Sequence, residues 1–269
     1  MTSENTASNE RELMDFNEYN FYFYMPDSQV VKNKLGFFIK NRSIETYSYV
    51  VPTEYGDKNF EDFIDFTHSH FTNGKEYYIV KVYNNDYFQK NSKILRNMKL
   101  IQYHLDTSIM SWDGTKKDQL TPDSYLDIDL LSSKKVNRWI TVFFDSFSYP
   151  PHLKKYITSM VKKQHESGIK FFVGTVSGKD VCCFCSYEDE NYLGIYGVGT
   201  KLKYRRRGYA KTMMSNYIEE KNQLNPQLKF CLQSLKNSGA EILYEGIGFE
   251  SPYIQKRFDW DPSTSNILF

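Results

Sequence analysis

The sequence predicts a mixed α/β fold in two parts. Three observations carry this. Along the second half, β-branched and aromatic runs alternate with helical stripes in the order β-α-α-β-β-β-α-β-α-β. The clearest stripe is Ala210, Met213, Met214, Tyr217 and Ile218, spaced as a helix packed on a sheet. Between the halves, Gly114 to Ser124 is polar, with Gly, Pro and Lys, and reads as a linker. A length of 269 residues fits one large or two ordinary domains. The expected division is a disordered lead over 1–12, an α+β domain over 13–122 and a second domain over 123–269.

The first half carries the weaker pattern. Phe16 to Met25 is aromatic without clean periodicity, and Leu35 to Ile39 is a short strand candidate. Phe60, Phe63, Ile64, Phe66 and Phe71 suggest a helix beginning near Asp57. Glu76 to Tyr83 reads as a strand, followed by the turn-like Asn84-Asn85-Asp86. A short helix over Ser92 to Met98 would lead into a strand over Leu100 to Leu105, and Trp112-Asp113-Gly114 marks a turn.

The second half is more regular. Tyr125 to Leu131 is a strand, and a helix follows over Val136, Trp139, Ile140, Phe143, Phe144 and Phe147. Pro150-Pro151 separates it from a second helix over His152 to His165. Strands are expected at Phe171 to Val176, Val181 to Tyr187 and Tyr192 to Gly199, the first two joined by the turn Ser177-Gly178-Lys179-Asp180. A helix over Gly208 to Lys221, a strand at Lys229 to Leu232, a helix over Asn237 to Ile247 and a strand at Tyr253 to Trp260 complete the series.

Composition narrows the function. The formal net charge of +1 gives no global field for nucleic acid or anionic membrane, so electrostatic recognition must be local. No run is long and apolar enough to span a bilayer, and the polar start MTSENTASNE lacks a signal-peptide pattern. Three of the four cysteines, Cys182, Cys183 and Cys185, share one apolar run, where C-C-x-C would need a fourth ligand and usable geometry to hold zinc, and Cys231 lies apart. They read as reduced cysteines of buried strands, with no metal expected and a cytoplasmic setting. The 22 Tyr and 20 Phe predict aromatic cores and a ring-walled pocket.

The chemistry-bearing segment is Thr200-Lys201-Leu202-Lys203-Tyr204-Arg205-Arg206-Arg207-Gly208-Tyr209-Ala210, between a glycine-rich strand and a helix. First-turn amides of a helix lack intrahelical acceptors and favour an anion. Gly208 lets a phosphate approach the backbone, and the arginines add charge and donors. Neither GxxxxGK[ST] nor GxGxxG spacing is present.

Arg205-Arg206-Arg207-Gly208-Tyr209-Ala210 resembles the Q/R-x-x-G-x-G/A motif of the GCN5-related N-acetyltransferase (GNAT) superfamily. Asn237 to Phe249 is similar to that family's N-x-x-A-x-x-L-Y-x-x-x-G-F element. The resemblance covers roughly Asp127 to Phe258. It implies a GNAT-like fold in the C-terminal half and acetyl-CoA as the acyl donor. It places Val198, Gly199 and Thr200 beside the pantetheine arm. It gives Arg205, Arg206, Arg207, Gly208, Tyr209, Ala210 and Lys211 to the pyrophosphate. Asn237 would approach the pantetheine or the attacking amine, and Tyr244 would protonate the leaving thiolate. Two departures stand out: Leu202 replaces a frequent Pro, and Tyr192 to Gly197 holds no acidic base. Glu188, Asp189, Glu190 and Asp145 are the nearby acids.

The N-terminal half is read either as a degenerate second copy lacking the phosphate motif or as an unrelated α+β domain. The expected reaction is acetyl transfer to a primary amine of a small molecule, amino acid or peptide, by a monomer or homodimer. A non-catalytic acyl-CoA sensor or protein-interaction module is the rival reading, and a longer acyl donor is a third.

Overall fold

The computed structural model describes residues 3–23, 25, 27–42, 48–52, 57–71, 75–83, 93–95, 97, 100–116, 120–121 and 125–265. In chain order the elements are α1 (Ser3–Phe23), β1 (Ser28–Asn33), β2 (Gly36–Asn41), β3 (Tyr49–Pro52), α2 (Asp57–His70), β4 (Tyr78–Tyr83), β5 (Ile101–Gln102) and β6 (Thr107–Trp112). They continue with β7 (Asp127–Leu130), α3 (Val136–Phe147), α4 (Lys154–Glu166), β8 (Lys170–Val176), β9 (Lys179–Glu188) and β10 (Tyr192–Thr200). The last are α5 (Tyr209–Leu224), β11 (Lys229–Leu235), α6 (Gly239–Glu245), β12 (Glu250–Trp260) and α7 (Pro262–Ser265). The chain forms two compact units, Met1–Tyr24 with Met110–Ser251, and Met25–Ile109 with Pro252–Phe269.

In the first unit, β7, β8, β9 and β10 pair antiparallel in sequence order. β11 then pairs parallel to β10, with α5 as the crossover. The predicted stripe is what packs: Met213, Met214, Tyr217 and Ile218 bury against Phe172, Phe184, Leu193, Ile195 and Phe230. The opposite sheet face carries α3, whose Trp139 meets Phe171 edge-on with ring centroids 5.1 Å apart. Alternation along β8 puts Phe171 and Phe172 on opposite faces, so both faces are covered. The cysteines are all buried, unpaired and within β9 and β11. Burial pushes the Cys182 thiol up to about 12. Among the described residues no cluster of three or more His, Cys, Asp or Glu side chains is arranged to hold a metal. No described helix is long and apolar enough to cross a membrane.

Two findings differ from the sequence expectation. The lead expected to be disordered over 1–12 lies largely in α1, which starts at Ser3. Further along α1, Met14, Asn17, Tyr19 and Phe21 are buried. Phe21 stacks on Tyr196 of β10 at 4.0 Å, and Asn17 occupies the space a side chain at Gly194 would need, 2.0 Å from that Cβ position. The helix is ordered by tertiary packing, which a polar start conceals. The division also falls at Met110 rather than near 122. Trp112, read as part of a turn, ends β6 and packs edge-on against Phe230 at 5.5 Å. Of the linker, 117–119 and 122–124 lie outside the described residues.

The second unit repeats an order. β1, β2 and β3 pair antiparallel in sequence, α2 follows, and β4 pairs parallel to β3. The expected helix residues Phe60, Phe63, Ile64 and Phe71 fill its core with Phe38, Val50 and Val80. β12 pairs antiparallel to β4 through Gln255–Trp260, so the last strand, expected in the C-terminal domain, completes this unit instead. Buried Phe258 anchors it there, along with Trp260 stacked at 6.0 Å on Tyr78. The expected turn Asn84-Asn85-Asp86 lies outside the described residues, as do 92, 96 and 98 of the expected Ser92 to Met98 helix, of which 93–95 and 97 are helical. The strand expected over Leu100 to Leu105 is limited to Ile101–Gln102.

Candidate active site

The site is built on β10. Its pairing with β11 has only the register Tyr192↔Lys229, Leu193↔Phe230 and Gly194↔Cys231, yet both strands continue, so they part beyond Gly194. On the other edge, the register with β9 shifts between Tyr196 and Gly199, leaving two β10 residues opposite Phe184. This is a one-residue bulge. Gly197 supplies its positive φ of 60°. The Phe184 carbonyl accepts a hydrogen bond from Trp139 Nε1 at 2.9 Å.

After the bulge, α3 lies directly on the strand. A Cβ at Gly199 would sit 2.8 Å from Ser146 Cβ, so no side chain fits there. The loop that leaves β10 is tied back to the same helix. Arg205 donates from Nε to Thr200 O at 3.2 Å and from Nη2 to Ser146 O. The latter carbonyl is one of the four that the C-terminus of α3 leaves without intrahelical donors. The Arg205 side chain is thus a clamp within the protein.

The loop then turns through two left-handed residues, Arg206 at φ 60° and Gly208 at φ 78°. Gly208 is the N-cap of α5, with no side-chain cap and no acid in the first turn. The helix begins with Thr212 N–H donating to Gly208 O at 2.9 Å. The amides before it have no intrahelical acceptor, and nothing lies within 4 Å of a Cβ position at Gly208. Exposed Arg206 and Arg207 flank this opening. The result is a locally positive, unobstructed set of backbone donors on a chain of near-zero net charge.

Opposite stands α6. Ser238 caps it by accepting from Glu241 N–H at 3.2 Å, while the Glu241 carboxylate accepts from the Asn237 amide at 2.5 Å. The small residues Gly239 and Ala240 open its first turn toward β10, followed by Leu243 and Tyr244. Between these walls lies a cleft of about 510 Å³. Val198, Gly199, Thr200, Arg205, Arg206, Arg207, Gly208, Tyr209, Ala210 and Tyr244 all line it. Lys211 and Asn237 do not. Lys211 sits in the first turn of α5, and Asn237 is exposed in the β11–α6 turn at φ 60°. Tyr244 is 6% exposed, and burial pushes its phenol well above the usual range, so it stays protonated at neutral pH.

Sequence reasoning missed Ser146, Phe147 and Tyr204, which also line the cleft. Ser146 had one signal: a small residue in an otherwise bulky helical stripe. The acids near the strand are otherwise engaged or remote. Asp189 accepts from Asn17 Nδ2 at 2.9 Å and from the Asn191 and Tyr192 amides at 2.8 and 2.9 Å. Glu188, Glu190 and Asp145 are exposed and do not line the cleft.

No sequence profile of a protein family matches the chain, and no curated protein resembles it in sequence. Solved structures do resemble it in fold. A functionally unknown conserved protein from Staphylococcus epidermidis matches with a TM-score of 0.64 at 13% identity, over 87% of this chain and 94% of that one. A GCN5-related N-acetyltransferase from Kribbella flavida matches with a TM-score of 0.64 at 10% identity, over 92% and 94%. A tandem GNAT protein from the clavulanic acid biosynthesis pathway matches with a TM-score of 0.64 at 9% identity, over 87% and 83%. The chain has the fold of the GCN5-related N-acetyltransferases, with a mixed α/β architecture.

Proposed function

We propose that the first unit transfers an acyl group, acetyl in the simplest case, from coenzyme A to a primary amine. One observation carries the reading. One cleft joins an anion cradle at Gly208 to the parted edge of β10 and to a buried tyrosine. A pyrophosphate would rest on the amides from Arg206 to Lys211, its charge met by Arg206 and Arg207. The pantetheine arm would run back along Val198 to Thr200, taking the edge that β11 leaves unpaired.

The chemistry is direct attack. The amine nitrogen forms a bond to the thioester carbonyl, the carbon–sulfur bond breaks, and CoA leaves as a thiolate. A backbone amide of this stretch that faces away from β9, such as that of Val198, would polarise the carbonyl oxygen. Tyr244 would face the sulfur. Burial keeps its phenol protonated and so able to donate to the departing thiolate. Tyr244 therefore serves as a hydrogen-bond donor that stabilises the departing thiolate. No described residue lining the cleft carries a carboxylate or imidazole, so the amine's proton would pass to solvent. Such a reaction gains rate with pH until the amine is largely neutral.

The acceptor proposed is a small amine, an amino acid derivative or a peptide end. The first test is a thermal shift with acetyl-CoA, CoA and ATP, followed by a panel of amines with thiol release as readout. Stabilisation by CoA and acetyl-CoA above ATP is expected, as is thiol release with at least one amine. Tight CoA binding with no turnover on any amine favours an acyl-CoA sensor, and absence of CoA binding removes both readings.

A further inference from the structure

The cleft has an inner end, and α3 determines what it admits. Phe147, Phe143 and Trp139 lie one helical turn apart on one face of α3. Phe147 lines the cleft and is 46% exposed, Phe143 is 9% exposed, and Trp139 is 2% exposed. Their rings form a file descending from the cleft into the interior. Phe143 lies 4.8 Å from Phe147 and 4.5 Å from Trp139 between centroids, the latter pair stacked at 17°.

The strand opposite this file has no side chains at the matching positions. Gly199 faces Ser146 and Phe147, and Gly197 faces Trp139 and Phe143. A Cβ at Gly197 would lie 3.0 Å from Trp139 Cζ2 and 3.4 Å from Phe143 Cε2. Along β10 the cleft lining stops at Val198, one residue short of Gly197. A donor held at Gly208 and running back along β10 therefore points its acyl end at these two rings. Trp139 is held by its bond to the Phe184 carbonyl and by its edge contact with Phe171, so the wall is fixed.

We propose that Phe143 and Trp139 are the stop that sets acyl length, restricting the donor to short acyl thioesters. This rests on the CoA reading above. The acyl carbons of an acetyl group fit before the stop, whereas each further methylene must displace a packed ring or leave the cleft. Phe143 is the adjustable part, being less buried than Trp139 and making no hydrogen bond through its ring.

The test is calorimetric binding of CoA, acetyl-CoA, butyryl-CoA and octanoyl-CoA to the full chain, wild type and Phe143→Ala, with Phe143→Leu as the milder variant. Thermal melts check folding. In the wild type, octanoyl-CoA should bind no better than free CoA, because its chain gains no enclosed apolar contact. In Phe143→Ala, octanoyl-CoA should gain ~10-fold or more over free CoA, since methylenes entering a pocket contribute about that much or more. CoA affinity itself should stay within about three-fold. Phe143→Leu should shift the ratio the same way but less, which keeps the test valid if the alanine variant does not fold. Wild-type preference for octanoyl-CoA over CoA overturns the stop, and so does an unchanged ratio in a folded variant. Failure of free CoA to bind the wild type overturns the donor site itself, and the stop with it.

Discussion

The two units contain the same series: three antiparallel strands, a helix, and a strand parallel to the third. In the first unit this is β8-β9-β10-α5-β11, and in the second β1-β2-β3-α2-β4. They diverge where the third strand meets the helix. β10 has nine residues, a bulge and an arginine-rich connection of eight residues to α5. β3 has four residues and connects to α2 through only Thr53-Glu54-Tyr55-Gly56, with an acid in place of the arginines. Helix α2 fills its strands with Phe60, Phe63 and Ile64. The comparison separates what the topology supplies from what the site requires. Topology gives a strand end facing a helix N-terminus. A cleft also needs strands that part, glycines that let a helix approach, and a loop that leaves amides exposed.

Gly208→Glu should break the difference most completely. It places a carboxylate where the pyrophosphate would lie, and like charges at close range cost several kcal/mol, so CoA binding should fall ~1000-fold or beyond detection. Gly208→Ala separates charge from strain. The positive φ of 78° costs a residue with a Cβ about 1–2 kcal/mol, but nothing stands in its way. Gly178→Glu is the control, another open positive-φ glycine, in the β8–β9 turn away from the cleft lining. Calorimetry that finds Gly208→Glu binding as well as Gly178→Glu would remove the cradle.

Tyr244→Phe probes the opposite wall. As a donor to the departing thiolate, the hydroxyl acts mainly in the transition state, so kcat should fall ~100-fold. CoA affinity should stay within about three-fold, since the ring and its packing near Phe249 are kept. Equal losses in turnover and binding would assign Tyr244 to ground-state packing instead.

These residues differ in how far the sequence betrays them. The cradle is legible because its requirements are local: a strand end, arginines, a glycine and an apolar stripe within about twenty residues. Tyr244 is legible only through resemblance, since periodicity alone makes it a core residue. Phe147 and the α1 contact at Asn17 are not legible, and Ser146 shows only as a small residue in a bulky stripe, because each meets β10 across a long sequence separation. Asn17 shows this well. Its Oδ1 accepts from Tyr196 Oη at 2.6 Å and its Nδ2 donates to Tyr192 O at 3.0 Å, about 175 residues away. No window of sequence around Asn17 contains that information. The division into units is hidden for the same reason, since the first helix and last strand each complete the unit that the other half of the chain supplies.

Arg205→Ala should have a smaller effect through structure rather than charge. Without the bonds to Thr200 O and Ser146 O, the loop loses its attachment to α3. Hydrogen bonds from a charged donor contribute about 1.5–3 kcal/mol when buried and less at an exposed position, so CoA affinity should fall ~10-fold. Arg205→Lys, which offers one ammonium for two divergent carbonyls, should recover only part of it. Salt dependence distinguishes a clamp from an anion ligand. A clamp variant keeps the wild-type dependence of CoA affinity on ionic strength, whereas loss of a phosphate contact weakens it.

The smallest expected effect separates the units by pH. His70 ends α2 in the second unit, stacked at 14° on Phe66 with Phe71 edge-on. Burial lowers its pKa, and Lys40 lowers it further, against a smaller opposing influence from Glu76. An imidazole with a depressed folded pKa binds more protons unfolded than folded near its unfolded value of about 6.5. Its contribution to stability is thus fully present above that value and is lost as pH falls through it toward the folded pKa. The second unit should melt a few degrees lower at pH 5.5 than at pH 7.5 when followed by hydrogen exchange in α2 and β4. His70→Phe, which keeps the ring contacts and removes the titration, should flatten that difference while α5 and β11 of the first unit keep their own pH response. A pH difference in α2 that survives His70→Phe would assign it to other groups, and the acid sensitivity would no longer distinguish the two halves.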